Sequence, residues 1–292
     1  MTRRRIAFAT YEREPYLTPD DRLAAPALAA LGVEVVPAIW TDGAVDWGVF
    51  DAVVLRSTWD YHRRITEYRR WLDLLERSAV PVWNPLALVR WNSDKRYLRD
   101  LAARGVDTVP TVWLERGSPS IGEVLDEQGW REAVVKPVVA ATAYRTIRVS
   151  GSTATADESA VRVLLEHGNG EALLQPFLPE IETEGEWSLV FFAGAFSHAA
   201  LKRPAPGDFR VQTEFGGDAI PAEPPAGVMA AAERALADVA TPWLYARVDG
   251  VRVADGRFLL MELELLEPSL FLGLHDQAPA RFAAAIRRLL AG

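Results

Sequence analysis

Cysteine is absent from the 292 residues, which excludes disulfides, thiolate nucleophiles and cysteine metal sites together. Histidine is scarce. His62, His167, His198 and His275 are scattered, with no His-x-x-x-His pair to mark a metal helix. Structural roles are expected for three of them; His62 stands apart because it follows an aromatic, charged loop. No apolar run approaches the ~20 residues that a bilayer span needs. The apolar stretch after Arg3-Arg4-Arg5 stops at Tyr11-Glu12-Arg13, as a first buried strand would and a secretion signal would not. The expectation is a soluble, cytoplasmic protein without a membrane partner. Basic charge is also short: 32 Lys and Arg against 40 Asp and Glu leave −8, which argues against nucleic acid and still permits a local basic pocket. Two nucleotide loops are missing as well. Neither Gly-x-x-x-x-Gly-Lys-Ser/Thr nor Gly-x-Gly-x-x-Gly after a strand occurs, so neither a Walker-type nucleotidase nor a dinucleotide-binding Rossmann enzyme is supported.

What is present is an ordinary globular composition, 49% hydrophobic and 25% charged, long enough for two domains or three small ones. Residues 5–9, 33–39 and 52–55 read as strands, with a helix from Leu23 to Leu31 ended by Gly32; this is an open α/β sheet. A helix from Ile65 to Arg77, a strand Val80–Trp83 and the turn Asn84-Pro85 close that region near Trp91. A helix Asp94–Arg104 and strands near 111–114, 133–137, 146–150 and 172–177, with a helix near 157–167, form a small α+β module. Strands from Glu184 and Ala195, a late acidic hairpin and a C-terminal helix form a last lobe. The expected division is 1–91, 92–178 and 179–292, an α/β region followed by two α+β lobes.

The late hairpin carries the chemistry. Asp255-Gly256 is a two-residue turn signal between Leu244–Val253 and Phe258–Leu266, and counting back from it sets Asp249 opposite Glu262 and Arg247 opposite Glu264, all on one face. Opposed carboxylates destabilise a sheet, and a cation resolves the conflict; oxygen donors suit Mg²⁺, or Mn²⁺ in its place, and Arg247 beside them suits a polyphosphate or a developing anion. A solvated hairpin face with cross-strand charge pairs is the alternative. Lys95 at a helix start, Lys136 before Pro137, and Lys202-Arg203 at a strand end each read singly as surface residues, but with the hairpin they supply what a nucleoside triphosphate needs.

In chain order, Asp94-Lys95, Val134-Val-Lys136-Pro, Leu174-Gln175-Pro-Phe177, Glu184-Gly-Glu186, Leu201-Lys202-Arg203, Gly207-Asp-Phe-Arg210, Arg247-Val-Asp249 and Glu262-Leu-Glu264 resemble the ATP-grasp superfamily, in its glutathione-synthetase-like branch of carboxylate-amine ligases. The resemblance implies an ATP-grasp fold with ATP and Mg²⁺ as cofactors. It implies that Lys95 and Lys136 meet phosphates, that Gln175, Pro176 and Phe177 form the hinge around adenine, and that one of Glu182, Glu184 or Glu186 holds the ribose. Asp249, Glu262 and Glu264 would carry the metal. Two features depart from the pattern: the loop after Lys136 has no glycine, and Glu264 stands where Asn is usual.

Arg56-Ser-Thr-Trp-Asp-Tyr, with Trp83-Asn-Pro and Lys202-Arg-Pro, looks similar to the cyclo-ligases of D-cycloserine biosynthesis, which act on O-ureidoserine. The implied reaction is attack of a small amino-acid-like carboxylate on ATP, giving an acylphosphate that a nitrogen nucleophile then displaces, within one molecule or between two. Arg247 and Arg210 would stabilise the oxyanion with Lys202 and Arg203 beside them, and Arg56, Ser57, Thr58, Asp60, Tyr61 and Arg145 would hold substrate. The loop at 56–62 reads equally as a capped helix start. A noncatalytic nucleotide-binding module, a small-molecule kinase and a homo-oligomeric assembly remain open.

Overall fold

The protein is described here by a computed structural model covering residues 3–167, 170–240 and 242–291; the side chain of His167 lies outside the described residues. The first sheet is parallel, in the order β2-β1-β3-β4, from β1 (Arg4–Thr10), β2 (Val33–Ile39), β3 (Ala52–Ser57) and β4 (Val82–Trp83). β3 is buried along its whole length, as parallel strands covered on both faces are, so the polar pair Arg56-Ser57 at its end is also enclosed.

The second sheet is antiparallel, β5-β8-β6-β7, from β5 (Val112–Glu115), β6 (Glu132–Pro137), β7 (Ile147–Ser150) and β8 (Glu171–Pro176). Helices Ile121–Gln128 and Ala154–His167 cover one face over a core that includes Leu125, Val135, Leu164 and Leu174. Ser120 and Glu123 start the first helix with a reciprocal capping box.

The third sheet runs β11-β10-β9-β12-β13, from β9 (Glu186–Phe192), β10 (Ala195–Arg203), β11 (Asp218–Pro221), β12 (Tyr245–Arg252) and β13 (Phe258–Glu264). The C-terminal helix Ala278–Leu289 joins it to the first sheet: Phe282 stands against Phe8, Phe192 and Tyr245 at ring separations of 6.2, 5.1 and 6.4 Å. No helix among the described residues is long and apolar enough to cross a membrane.

Three elements differ from expectation. The helix Leu86–Asn92 contains Trp91, so a division after residue 91 cuts an element. The helix Ala226–Ala237 was legible in its alanine content and was not anticipated. β11 is a short, largely exposed edge strand with no alternation to betray it.

The hairpin keeps the expected register by a different route. Its loop has three residues, not two: Val253 N donates to Arg257 O at 2.9 Å and Gly256 takes φ +87°, the arrangement of a type I turn with a glycine bulge. Arg252 therefore pairs with Phe258 and Gly250 with Leu260, one residue out of step. Met261 is then passed over as a bulge, which restores Asp249 opposite Glu262 and Arg247 opposite Glu264. Gly250 is required there, because a Cβ would meet Leu259 O at 2.4 Å.

Candidate active site

A cavity of about 500 Å³ opens between β6 and β8 on one side and β12 and β13 on the other. Leu178, Ile181, Val211 and Met261 pack together along part of its wall, next to Phe177, and Gln175 at the end of β8 donates to Thr111 Oγ1 at 3.0 Å. This apolar shelf suits a flat heterocycle.

Beside the shelf, charges of both signs interleave. Lys95 Nζ lies 3.0 Å and Lys136 Nζ 3.9 Å from Glu262 Oε1. Lys202 binds Glu186 and stands 3.6 Å from Asp249. Arg247 meets Asp249 at 2.8 Å, binds Glu264, and donates to Ser269 O at 2.9 Å. Ser188 Oγ donates to Asp249 at 2.5 Å. The opposed carboxylates of the hairpin are thus each paired with a protein cation. Among the described residues, no group of three His, Cys, Asp or Glu side chains is arranged to hold a metal ion.

The electrostatics sort the wall into two classes. Burial would raise Asp249, yet Arg247 and Lys202 outweigh it and hold the carboxyl well below the usual range; Lys95 and Lys136 do the same for Glu262. Burial pushes Glu264 up to about 8, with Asp249 and Glu262 adding to it against Arg247, and pushes Glu267 to about 7. Burial also lowers Lys136. The wall carries more anionic oxygen than its own cations neutralise.

Of the residues expected at the site, Lys95, Lys136, Gln175, Pro176, Phe177, Glu186, Lys202, Arg210, Tyr61, Arg247, Asp249, Glu262 and Glu264 line this one cavity. Arg210 is held by Asp208 at 2.7 Å and lies 3.6 Å over Phe215. Others do not reach it. Glu182 pairs with Arg148, and Glu184 accepts from Arg252 and Trp187. Arg203 is exposed and donates to Glu184 O, and Arg145 is exposed, 5.3 Å from the Tyr144 ring.

The loop at 56–60 is corrected most. Arg56 is 1% exposed; it binds Asp21 at 2.8 Å and Pro268 O at 2.8 Å and lies over Tyr245, and it does not line the cavity. Ser57 bonds Thr10, Thr58 faces Tyr68, and Asp60 accepts from Trp40. Instead of holding substrate, this loop holds a segment that lines the cavity. From Leu265 to Ser269 the chain has no regular structure, yet each carbonyl accepts from a different side chain. Leu265 O accepts from Asn84 at 2.7 Å, Leu266 O from Tyr245 at 2.8 Å, Glu267 O from Trp59 at 3.0 Å, Pro268 O from Arg56 at 2.8 Å and Ser269 O from Arg247 at 2.9 Å. Sequence reasoning missed this clamp, along with Asn92, Tyr97, Ile181 and Phe271 on the wall, because its partners are distant in the chain and look like core residues.

Residues 6–84 match the family model described as D-cycloserine synthetase DcsG, N-terminal domain. Over 277 residues, 90% of this chain and 91% of the relative, the sequence is 36% identical to the cycloserine biosynthesis protein DcsG of Streptomyces lavendulae. The chain belongs to the DcsG family. It matches the crystal structure of D-cycloserine synthetase DcsG with a TM-score of 0.88 at 32% identity, over 98% of this chain and 99% of that one. D-Alanine–D-alanine ligase from Bacillus anthracis, solved in complex with ATP, matches at 0.68 and 17% identity over 99% and 97% of the two chains, a likeness of fold. The architecture is therefore the ATP-grasp fold, and this DcsG-family chain is an ATP-dependent carboxylate-amine ligase.

Proposed function

We propose that this ligase closes a ring on an O-ureidoserine-like amino acid. The substrate carboxylate takes the γ-phosphoryl group of ATP to give an acylphosphate and ADP; a nitrogen of the same molecule then attacks the acyl carbon, a C–N bond forms, the C–O bond to phosphate breaks, and phosphate and a proton leave. The supporting observation is the continuity of one cavity from the apolar shelf, past three lysines, to Trp59 and Tyr61. Adenine would lie against Phe177, Ile181 and Met261, with Gln175 at its edge. Lys95, Lys136 and Lys202 would face the phosphates, where separated cations stabilise a transferring phosphoryl group. Glu186, which lines the cavity as Glu182 and Glu184 do not, is the ribose candidate.

Glu262 and Glu264, with Asp249 beside them, are oxygen donors of the kind Mg²⁺ takes, and Mn²⁺ suits the same set. Burial, with the neighbouring carboxylates adding to it, raises the Glu264 carboxyl, and a divalent cation there would favour its ionised form. Bound there, Mg²⁺ would neutralise charge on the phosphoryl oxygens. Arg247, fixed by Asp249 and Ser269, would face the acyl oxyanion. No protein nucleophile is required, because holding both reacting ends of one substrate supplies proximity.

The test is incubation with ATP, Mg²⁺ and O-ureidoserine, following ADP, phosphate and the cyclic product by mass. Ring formation matched to ADP release is expected. ADP release only when a second amino acid is added would replace cyclisation by intermolecular ligation. A stable phosphorylated product would mark a kinase, and ATP binding without turnover on any amino-acid carboxylate would leave a binding module.

A further inference from the structure

We infer that Glu267 receives the α-ammonium group of the substrate, an assignment that rests on the amino-acid ligase reading above. Among the cavity carboxylates, Glu186, Asp249, Glu262 and Glu264 each have a Lys or Arg within 4.0 Å, Glu214 and Asp218 are exposed, and the half-buried Asp20 accepts from Gly273 N at 2.9 Å. Glu267 has no such partner: it is 7% exposed, it lines the cavity, and its carboxylate makes no hydrogen bond or ion pair among the described residues. A buried carboxylate without a cation is costly, and in a ligand cavity the missing charge is supplied by the ligand. An amino-acid-like substrate brings one such group.

The placement is rigid. The carbonyls of Leu266, Glu267 and Pro268 are held by Tyr245, Trp59 and Arg56, so the root of the side chain is fixed while its head is unoccupied. Trp59 and Tyr61 line the same cavity, and aromatic rings beside a carboxylate favour an ammonium over a neutral amine. Burial pushes the Glu267 carboxyl to about 7 in the free protein; a bound ammonium would hold it ionised.

The experiment compares wild type, E267Q and E267D with two ligands, O-ureidoserine and its des-amino analogue. In E267Q the KM for O-ureidoserine is expected to rise about 10- to 100-fold, the worth of one charge-assisted hydrogen bond, with the KM for ATP and the Mg²⁺ requirement unchanged. E267D should recover part of the loss, and an unshifted ATP-dependent thermal transition shows that each variant is folded. The des-amino analogue should bind wild type and E267Q equally. An unchanged KM in E267Q, an analogue that still distinguishes the two proteins, or a shift confined to the Mg²⁺ requirement would each overturn the assignment. If O-ureidoserine is not turned over by wild type, cyclisation fails by itself. ATP-dependent binding of serine against its des-amino analogue, in wild type and E267Q, then decides Glu267 separately.

Discussion

Asp249 and Arg56 are 2% and 1% exposed, and each sits in an ion pair at 2.8 Å, yet the first lines the cavity and the second does not. The strands that carry them explain the difference. β12 and β13 are antiparallel and turn one face to the cavity, so charges at alternate positions reach it together while the buried Val248 between Arg247 and Asp249 does not line it. β3 is a parallel strand enclosed on both faces, so the polar residues at its end must find partners inside the protein. Buried charge is therefore a poor guide to function until the face it occupies is known.

The comparison predicts two kinds of damage. Glu262→Ala should lower kcat by about 10³-fold, the scale of losing one electrostatic element of a transition state, with a smaller loss of stability than Arg56→Met, because Lys95 and Lys136 still face other carboxylates across the cavity; ADP release and denaturant melts measure the pair. Arg56→Met should do the reverse. It leaves Asp21 buried without its partner, which costs about 3–5 kcal/mol of stability, whereas turnover per folded molecule should fall about tenfold at most, through loosening of the Glu267 segment. Full stability in Arg56→Met with turnover abolished would erase the distinction and return Arg56 to the substrate.

How much was legible follows the same division. The hairpin register was readable because alternation and an Asp-Gly turn are local signals, although the loop is one residue longer than the simplest turn and the Met261 bulge cancels the error. Arg56 meets Asp21, 35 positions away, and Pro268, 212 positions away; nothing in the local sequence distinguishes that geometry from a substrate-binding arginine. Ile181 and Met261 were illegible for the opposite reason, since the residues of an apolar shelf resemble any core residue.

The loop after β6 offers a smaller test of what joins the two regions. Thr142, Ala143 and Arg145 take φ of +50°, +52° and +53°, backbone shapes that favour glycine, so the loop adopts a glycine-type path without glycine. Tyr144 between them meets the His62 ring in a tilted contact at 4.7 Å and lies 5.2 Å from Arg63, anchoring the cavity-side loop to the first region. Loss of that ring contact, of order 0.5–1.5 kcal/mol, should raise the KM for ATP about 2- to 10-fold in Tyr144→Ala. Tyr144→Phe should restore it, and equal KM values in all three proteins would show that the loop is held elsewhere.

The weakest effect is in pH, and its sign separates wall from interior. Burial raises Glu264 and Glu267 above the ordinary glutamate value of 4.5, to about 8 and about 7, so their favourable contribution is complete below 4.5 and is lost as pH rises through 7 and 8. His62 and His198, lowered by burial from 6.5 to about 4, act oppositely: they contribute above 6.5 and lose that contribution as pH falls toward 4. Between pH 4.5 and 6.5 the two trends oppose each other. Above 6.5 both imidazoles are neutral, folded or unfolded, and the native protein holds protons on the wall that the unfolded chain has released. Stability of the ligand-free protein should therefore decline from pH 6.5 to 8 in urea melts, and Glu267→Gln should make that decline shallower.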